Sequence, residues 1–200
     1  MAVPLRADAR ANRAALLESA ARLFTEHGPD VALEAIARDA GVSIATLYRH
    51  FPSREALVAQ TYGAEIAALG EVDLSEGTAA DTLSRWLARF VEYARTKRAL
   101  GDLVHALPEG SSPPAREVIV DALERILAAG ARDGSLRADH DAHDVLALLA
   151  GLWTLPGGPQ WAGRAERLAQ FVVDGLATAP SGPWDRAGPA ARRPPRSGPG

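Results

Sequence analysis

Cysteine is absent from all 200 residues, which removes disulfides and thiolate metal sites from consideration. Methionine occurs once, at Met1, and lysine once, at Lys97, so nearly all of the 22 basic residues are arginine. We attach no function to that bias. No apolar run approaches the roughly 20 residues that a membrane-spanning helix needs. The N-terminus carries no basic-then-apolar signal segment. A soluble, cytoplasmic protein is therefore expected, with no membrane partner. Nucleophile elbow, phosphate loop and catalytic cysteine are all missing, so nothing in the chain argues for an enzyme or for a bound cofactor. Period-two alternation and internal repeats are missing too, which leaves no case for a sheet.

What is present is helix-forming sequence. The chain is 47% hydrophobic, and most of that is alanine and leucine. A loose arm over residues 1–8 precedes a first helix predicted at 9–26, with Leu16, Leu17, Ala20, Leu23 and Phe24 on one side and a His27-Gly28-Pro29 stop after it. Body helices are predicted at 79–97, 101–107, 115–133, 142–155 and 161–177. The Pro-, Gly- and Arg-rich residues 179–200 have little to bury and read as a disordered tail.

The most informative stretch is residues 33–57, LEAIARDAGVSIATLYRHFPSREAL. Leu33, Ile36, Ala37 and Ala40 recur at helical spacing. Gly41 then allows the positive φ of a tight turn. Ser43 can cap a second helix from Ile44 to His50, which buries Leu47 and, four residues on, Phe51. Ala45, Thr46, Tyr48, Arg49 and His50 fall on its other faces. A short capped helix with small, hydroxyl, aromatic and cationic groups outward suits a DNA major groove. Pro52-Ser53 starts a further helix, with Leu57, Tyr62 and Ile66 inward.

The segment GVSIATLYRHFPSREAL, with LFTEHG upstream, resembles the helix-turn-helix signature of the tetracycline-repressor-like (TetR) regulators, over residues 12–57. The resemblance implies an all-α chain with an N-terminal three-helix DNA-binding domain (9–62) and a C-terminal effector-binding and dimerisation domain (63–178). It implies a ligand-responsive transcription regulator, most simply a homodimeric repressor on a palindromic operator, released by a small-molecule effector. Ser43, Ile44, Ala45, Thr46, Tyr48, Arg49 and His50 would form the double-stranded-DNA surface, and Arg54 would meet a phosphate at the start of its helix. Ala32 departs from the pattern, since a capping Ser or Thr is usual there; Asp30 is the substitute cap. The net charge of −3 and the seven arginines against seven acids in residues 1–62 imply modest, salt-sensitive affinity. They also support the alternative of a helical small-molecule sensor whose DNA binding is weak or lost.

Three further groups remain to be placed. Trp86, Phe90, Tyr93, Leu103, Val104, Leu107 and Leu123 either line an effector pocket or form solid core. Leu149, Trp153, Leu168, Phe171 and Val172, with Gly175 permitting close approach, exceed what one small core needs and are candidates for a dimer interface. Asp139-His140-Asp141-Ala142-His143-Asp144 reads as a helix cap rather than a metal site. Ser111-Ser112 beside His105 and Glu109 reads as linker rather than a hydrolytic set.

Overall fold

The computed structural model describes residues 3–178, and every regular element among them is helical. The order is α1 (Val3–His27), α2 (Leu33–Asp39), α3 (Ile44–His50), α4 (Arg54–Gly70), α5 (Ala79–Leu100), α6 (Asp102–His105), α7 (Ala115–Asp133), α8 (Ala142–Ala150) and α9 (Trp161–Leu176). A 3-10 turn, Gly151–Thr154, follows α8. The expected all-α fold is what forms. The proposed tail, 179–200, lies outside the described residues.

Three boundaries differ from the sequence reading. Helix α1 begins at Val3, so most of the expected loose arm is helical; Pro4 falls in the first turn, where a missing N–H breaks no helical bond. Helix α6 is a single turn, because α5 continues to Leu100 and ends at Gly101, with φ of 49°. The predicted 142–155 helix narrows to a 3-10 turn after Ala150, ahead of Pro156, whose ring disfavours helical backbone in the preceding residue.

Local chemistry sets the remaining ends. Thr78 and Asp81 form a reciprocal capping box at the start of α5. Asp141 caps α8 by accepting from the His143 N–H at 2.6 Å. Gly130 of α7 lies against Leu136, where any Cβ would come within 2.5 Å of that side chain. This close approach lets the α7–α8 turn fold back. Arg137 N–H then donates to the Leu176 carbonyl at 2.9 Å, and the Thr178 N–H to Ser135 at 3.1 Å, tying down the end of α9.

One apolar core runs the length of the described chain, from Leu16, Phe24, Leu47 and Phe51 through Leu57 and Ile66 to Trp86, Phe90, Leu123 and Ile126. Helix α4 carries that continuity. Its last turn leaves carbonyls without helical partners, and the body supplies them. Trp86 Nε1 donates to the Leu69 carbonyl at 2.8 Å. Arg89 spans the Ala68 and Glu71 carbonyls at 3.2 and 3.0 Å, and Arg125 those of Gly70 and Val72, each at 3.2 Å. The C-terminal end of α4 is thus held by α5 and α7 together.

Candidate functional site

The α2–α3 turn is built as the sequence requires. Gly41 takes φ of 69°. Its N–H donates to the Arg38 carbonyl at 3.1 Å and that of Val42 to the Ala37 carbonyl at 2.9 Å, the paired bonds of a Schellman ending. Ser43 follows at once as the N-cap of α3, its Oγ accepting from the Thr46 N–H at 3.2 Å. Leu47 and Phe51 are fully buried, which fixes the roll of α3 and decides what points outward.

That outward face carries Ser43, Ala45, Tyr48 and Arg49 exposed, with Ile44, Thr46 and His50 half-buried. Tyr48 is 47% exposed, although a tyrosine ring ordinarily seeks cover. Thr46 Oγ1 lies 3.0 Å from Ser43 Oγ and accepts from Arg49 at 2.9 Å. Those two contacts hold the Arg49 guanidinium along the face. His50 tilts against Phe51 at 6.2 Å. Arg54 donates to the Pro29 carbonyl at 2.8 Å. It therefore fastens the α1–α2 loop to α4, while its remaining N–H groups stay near the start of that helix.

Two of the head's other arginines are structural. Arg22 of α1 pairs with Asp39 at the end of α2 and with Glu26, and this contact holds the Asp39 carboxyl below its ordinary range. Arg13 donates to Gln60 of α4 and covers the Phe51 ring at 5.5 Å. These arginines brace α1, α2 and α4 around α3, a role the sequence could not separate from phosphate binding. Helix α2 has Ala32 at its N-cap with no side-chain hydrogen bond, so Asp30 does not replace the missing cap.

In the body, Trp86, Phe90 and Tyr93 are buried; Trp86 stacks on Phe90 with centroids 5.5 Å apart, and Tyr93 tilts against Phe90 at 5.8 Å. Trp153 closes on the edges of Phe90 and Tyr93 and lies under Lys97 Nζ. It is placed with this aromatic cluster, not on an outer face. Leu123 is fully buried; Leu103, Val104 and Leu107 pack on the core half-buried. A cleft of about 480 Å³ opens between α4, α5 and α9, lined by Glu65, Ala68, Leu69, Ala88, Arg89, Val91, Glu92, Tyr93 and Glu166. Of the seven residues nominated for a pocket, Tyr93 alone lines it.

Sequence reading missed Glu65. Its Oε1 accepts from Thr96 Oγ1 at 3.0 Å, and Thr96 lies 3.3 Å from Thr25 of α1. Its Oε2 is buried without a hydrogen-bond partner. Burial, with Glu92 nearby, pushes the Glu65 carboxyl up to about 7 against the pull of Thr96 and Arg95. Thr61 and Glu65, four apart beside Tyr62 and Ile66, were the available signal.

Leu148 of α8 is 65% exposed and Phe171 of α9 66%, and Leu168, one turn before Phe171, is exposed as well. Val172 is half-buried, and nothing lies within 4 Å of a Cβ placed on Gly175. Leu149 is turned into its own core. Asp139 forks to Arg137, and no metal-holding group of three His, Asp or Glu side chains occurs among the described residues. His105 Nδ1 sits 3.2 Å from the Gly101 carbonyl. No described helix is long and apolar enough to cross a membrane.

Comparison with known proteins agrees with this architecture. Residues 16–61 match the model of the bacterial regulatory proteins of the tetR family, and residues 78–178 that of the SbtR-like transcriptional regulator C-terminal domain. An uncharacterised HTH-type transcriptional regulator of Mycobacterium tuberculosis is 31% identical over 166 residues, covering 79% of this chain and 82% of the relative. The crystal structure of the TetR transcriptional regulator SCO0520 from Streptomyces coelicolor superposes with a TM-score of 0.75 at 39% identity, covering 84% of this chain and 99% of that one. A TetR regulator from Mycobacterium vanbaalenii gives 0.70 at 32% identity, covering 87% and 99%. The chain belongs to the TetR family. It is a DNA-binding transcriptional regulator and not an enzyme.

Proposed function

We propose that the protein acts as a homodimeric repressor of a palindromic operator, and that a small-molecule effector releases it. The observation that carries the reading is the Ser43-capped α3, rolled by Leu47 and Phe51 so that Ala45, Tyr48 and Arg49 face outward. Thr46 and Ile44 would read base edges and thymine methyls beside them, and Tyr48, Arg49, His50 and Arg54 would serve base edges and phosphates. We divide the chain at the junction of residues 62 and 63 into a DNA-binding head and an effector-binding, dimerising body. An effector changes occupancy only by binding the DNA-incompetent form better, since equal affinity for both forms shifts nothing. Helix α4, with its C-terminal end held by Trp86, Arg89 and Arg125, is the lever available to that change.

Two experiments test this reading. Tyr48→Ala should lower operator affinity by about tenfold or more without changing the melting curve, because the ring leaves the core untouched. Wild-type affinity in that variant would remove Tyr48 from the interface. For the dimer, Leu148, Leu168 and Phe171 supply the exposed apolar face that a second copy would cover. Sedimentation should give a wild-type dimer and a folded Phe171→Glu monomer; a monomeric wild type would exclude this mode of operator binding.

A further inference from the structure

The cleft beside α4 has a chemistry of its own. Its walls are apolar, from Ala68, Leu69, Ala88, Val91 and the Tyr93 ring, while Glu65, Glu92 and Glu166 line it too. Arg89 is the one cation in the lining, and its guanidinium is committed to the Ala68 and Glu71 carbonyls. Glu92 leans on Arg95, with Nε at 3.6 Å, and Glu166 has no ion-pair partner among the described residues. Glu65 is the deepest of the three, with Oε2 buried and unpartnered. A buried polar atom without a partner is costly and marks a place where a ligand's charge or donor would be accommodated. The volume, about 480 Å³, is within the range of small-molecule sites.

We propose that this cleft binds an amphipathic organic cation, with its apolar part against Leu69, Val91 and Tyr93 and its charge answered by Glu65, Glu92 and Glu166. A compact metal ion does not suit it, because the described acids do not converge as a metal group would. Glu65 also lines a second cleft, of about 460 Å³, which α1 and α5 share with α4. Ionising Glu65 for a cation therefore acts on the Thr96–Thr25 contact that joins body to head. The charged and titratable groups sharing the two clefts with Glu65 are Glu18 and Arg22 from α1, Arg89, Glu92, Tyr93 and Arg95 from α5, and Glu166 from α9. Burial keeps the Glu65 carboxyl protonated up to about pH 7, so proton and cation compete for it.

The inference rests on the effector reading only in giving the cation a regulatory role. The test contains no DNA, so failure of the operator reading and failure of this one are separable. The full chain is titrated calorimetrically with benzyltriethylammonium and, in parallel, with benzenesulfonate. We expect saturable binding of the cation at pH 8 and at least about tenfold weaker binding of the anion. Affinity for the cation should fall about tenfold from pH 8 to pH 6, following the ionised fraction of a group with pKa near 7. Glu65→Gln should bind about five- to tenfold more weakly at pH 8 and lose that pH dependence; Glu166→Gln, on the opposite wall, should also weaken binding without removing it. Absence of saturable cation binding, equal affinity for cation and anion, or an unchanged affinity and pH profile in Glu65→Gln would each overturn the proposal.

Discussion

Trp86→Ala is expected to destabilise the protein by about 4–8 kcal/mol, read as a fall in the urea midpoint at unchanged slope. The indole is fully buried, stacks on Phe90 and donates to the Leu69 carbonyl. Truncation removes its apolar contacts, leaves a cavity and strands a buried carbonyl in the last turn of α4. Cavity creation by an aromatic-to-alanine change alone costs about 3–5 kcal/mol, and the abandoned acceptor adds about 1–3 kcal/mol. Trp86→Phe separates the two terms, since it keeps most of the packing and loses the N–H. Its cost should fall well below that of the alanine variant. A loss under about 1.5 kcal/mol in Trp86→Ala would mean that the clamp on α4 does not depend on this residue.

Glu65 gives the second large effect, and its sign is opposite to that of most carboxylates. Its folded-state pKa, about 7, lies above the ordinary 4.5, so the folded protein holds the proton more tightly than the unfolded chain. The stability it contributes is complete below about pH 4.5, declines as pH rises, and is gone above about pH 7. The shift corresponds to about 3 kcal/mol across that window. Glu65→Gln keeps an acceptor for Thr96 and cannot ionise. It should match the wild type near pH 4.5 and exceed it by up to about 3 kcal/mol at pH 8.5, in urea titrations at the two pH values. Parallel pH profiles for the two proteins would show that the carboxyl is not held neutral by its burial.

Much of the head was legible because its signals are local. A glycine at Gly41, a cap at Ser43 and apolar residues at Leu47 and Phe51 specify a turn, a helix start and a helix roll within eleven residues. The structure realises each of them. Arginine roles were not legible. Arg13, Arg22 and Arg54 find their partners in Gln60, Asp39 and Pro29, 47, 17 and 25 residues away in sequence, and chain spacing does not reveal such contacts. The body was legible as helices but not as a site. Trp86, Phe90 and Tyr93 show the same helical stripe whether they line a cavity or fill one; in the structure Trp86 and Phe90 stack within the core, while Tyr93 also lines the cleft beside α4. Glu65 was hidden for the opposite reason: an acid beside an apolar stripe looks solvated until α1 and α5 close over it. Of the residues expected at a dimer face, Leu149 is buried in its own core and Trp153, half-buried on the 3-10 turn, packs on Phe90 and Tyr93, contacts that chain spacing does not reveal.

Selection of bound fragments from a random DNA pool, followed by salt titration of the selected sequence, tests the central claim most directly. The account predicts enrichment of a palindrome with half-sites about one helical turn apart. Its affinity should fall steeply with salt, and Tyr48→Ala should fail to retain it. Failure to enrich any sequence at low salt, or enrichment of a single half-site bound equally well by Tyr48→Ala, would contradict recognition by a two-fold pair of α3 helices.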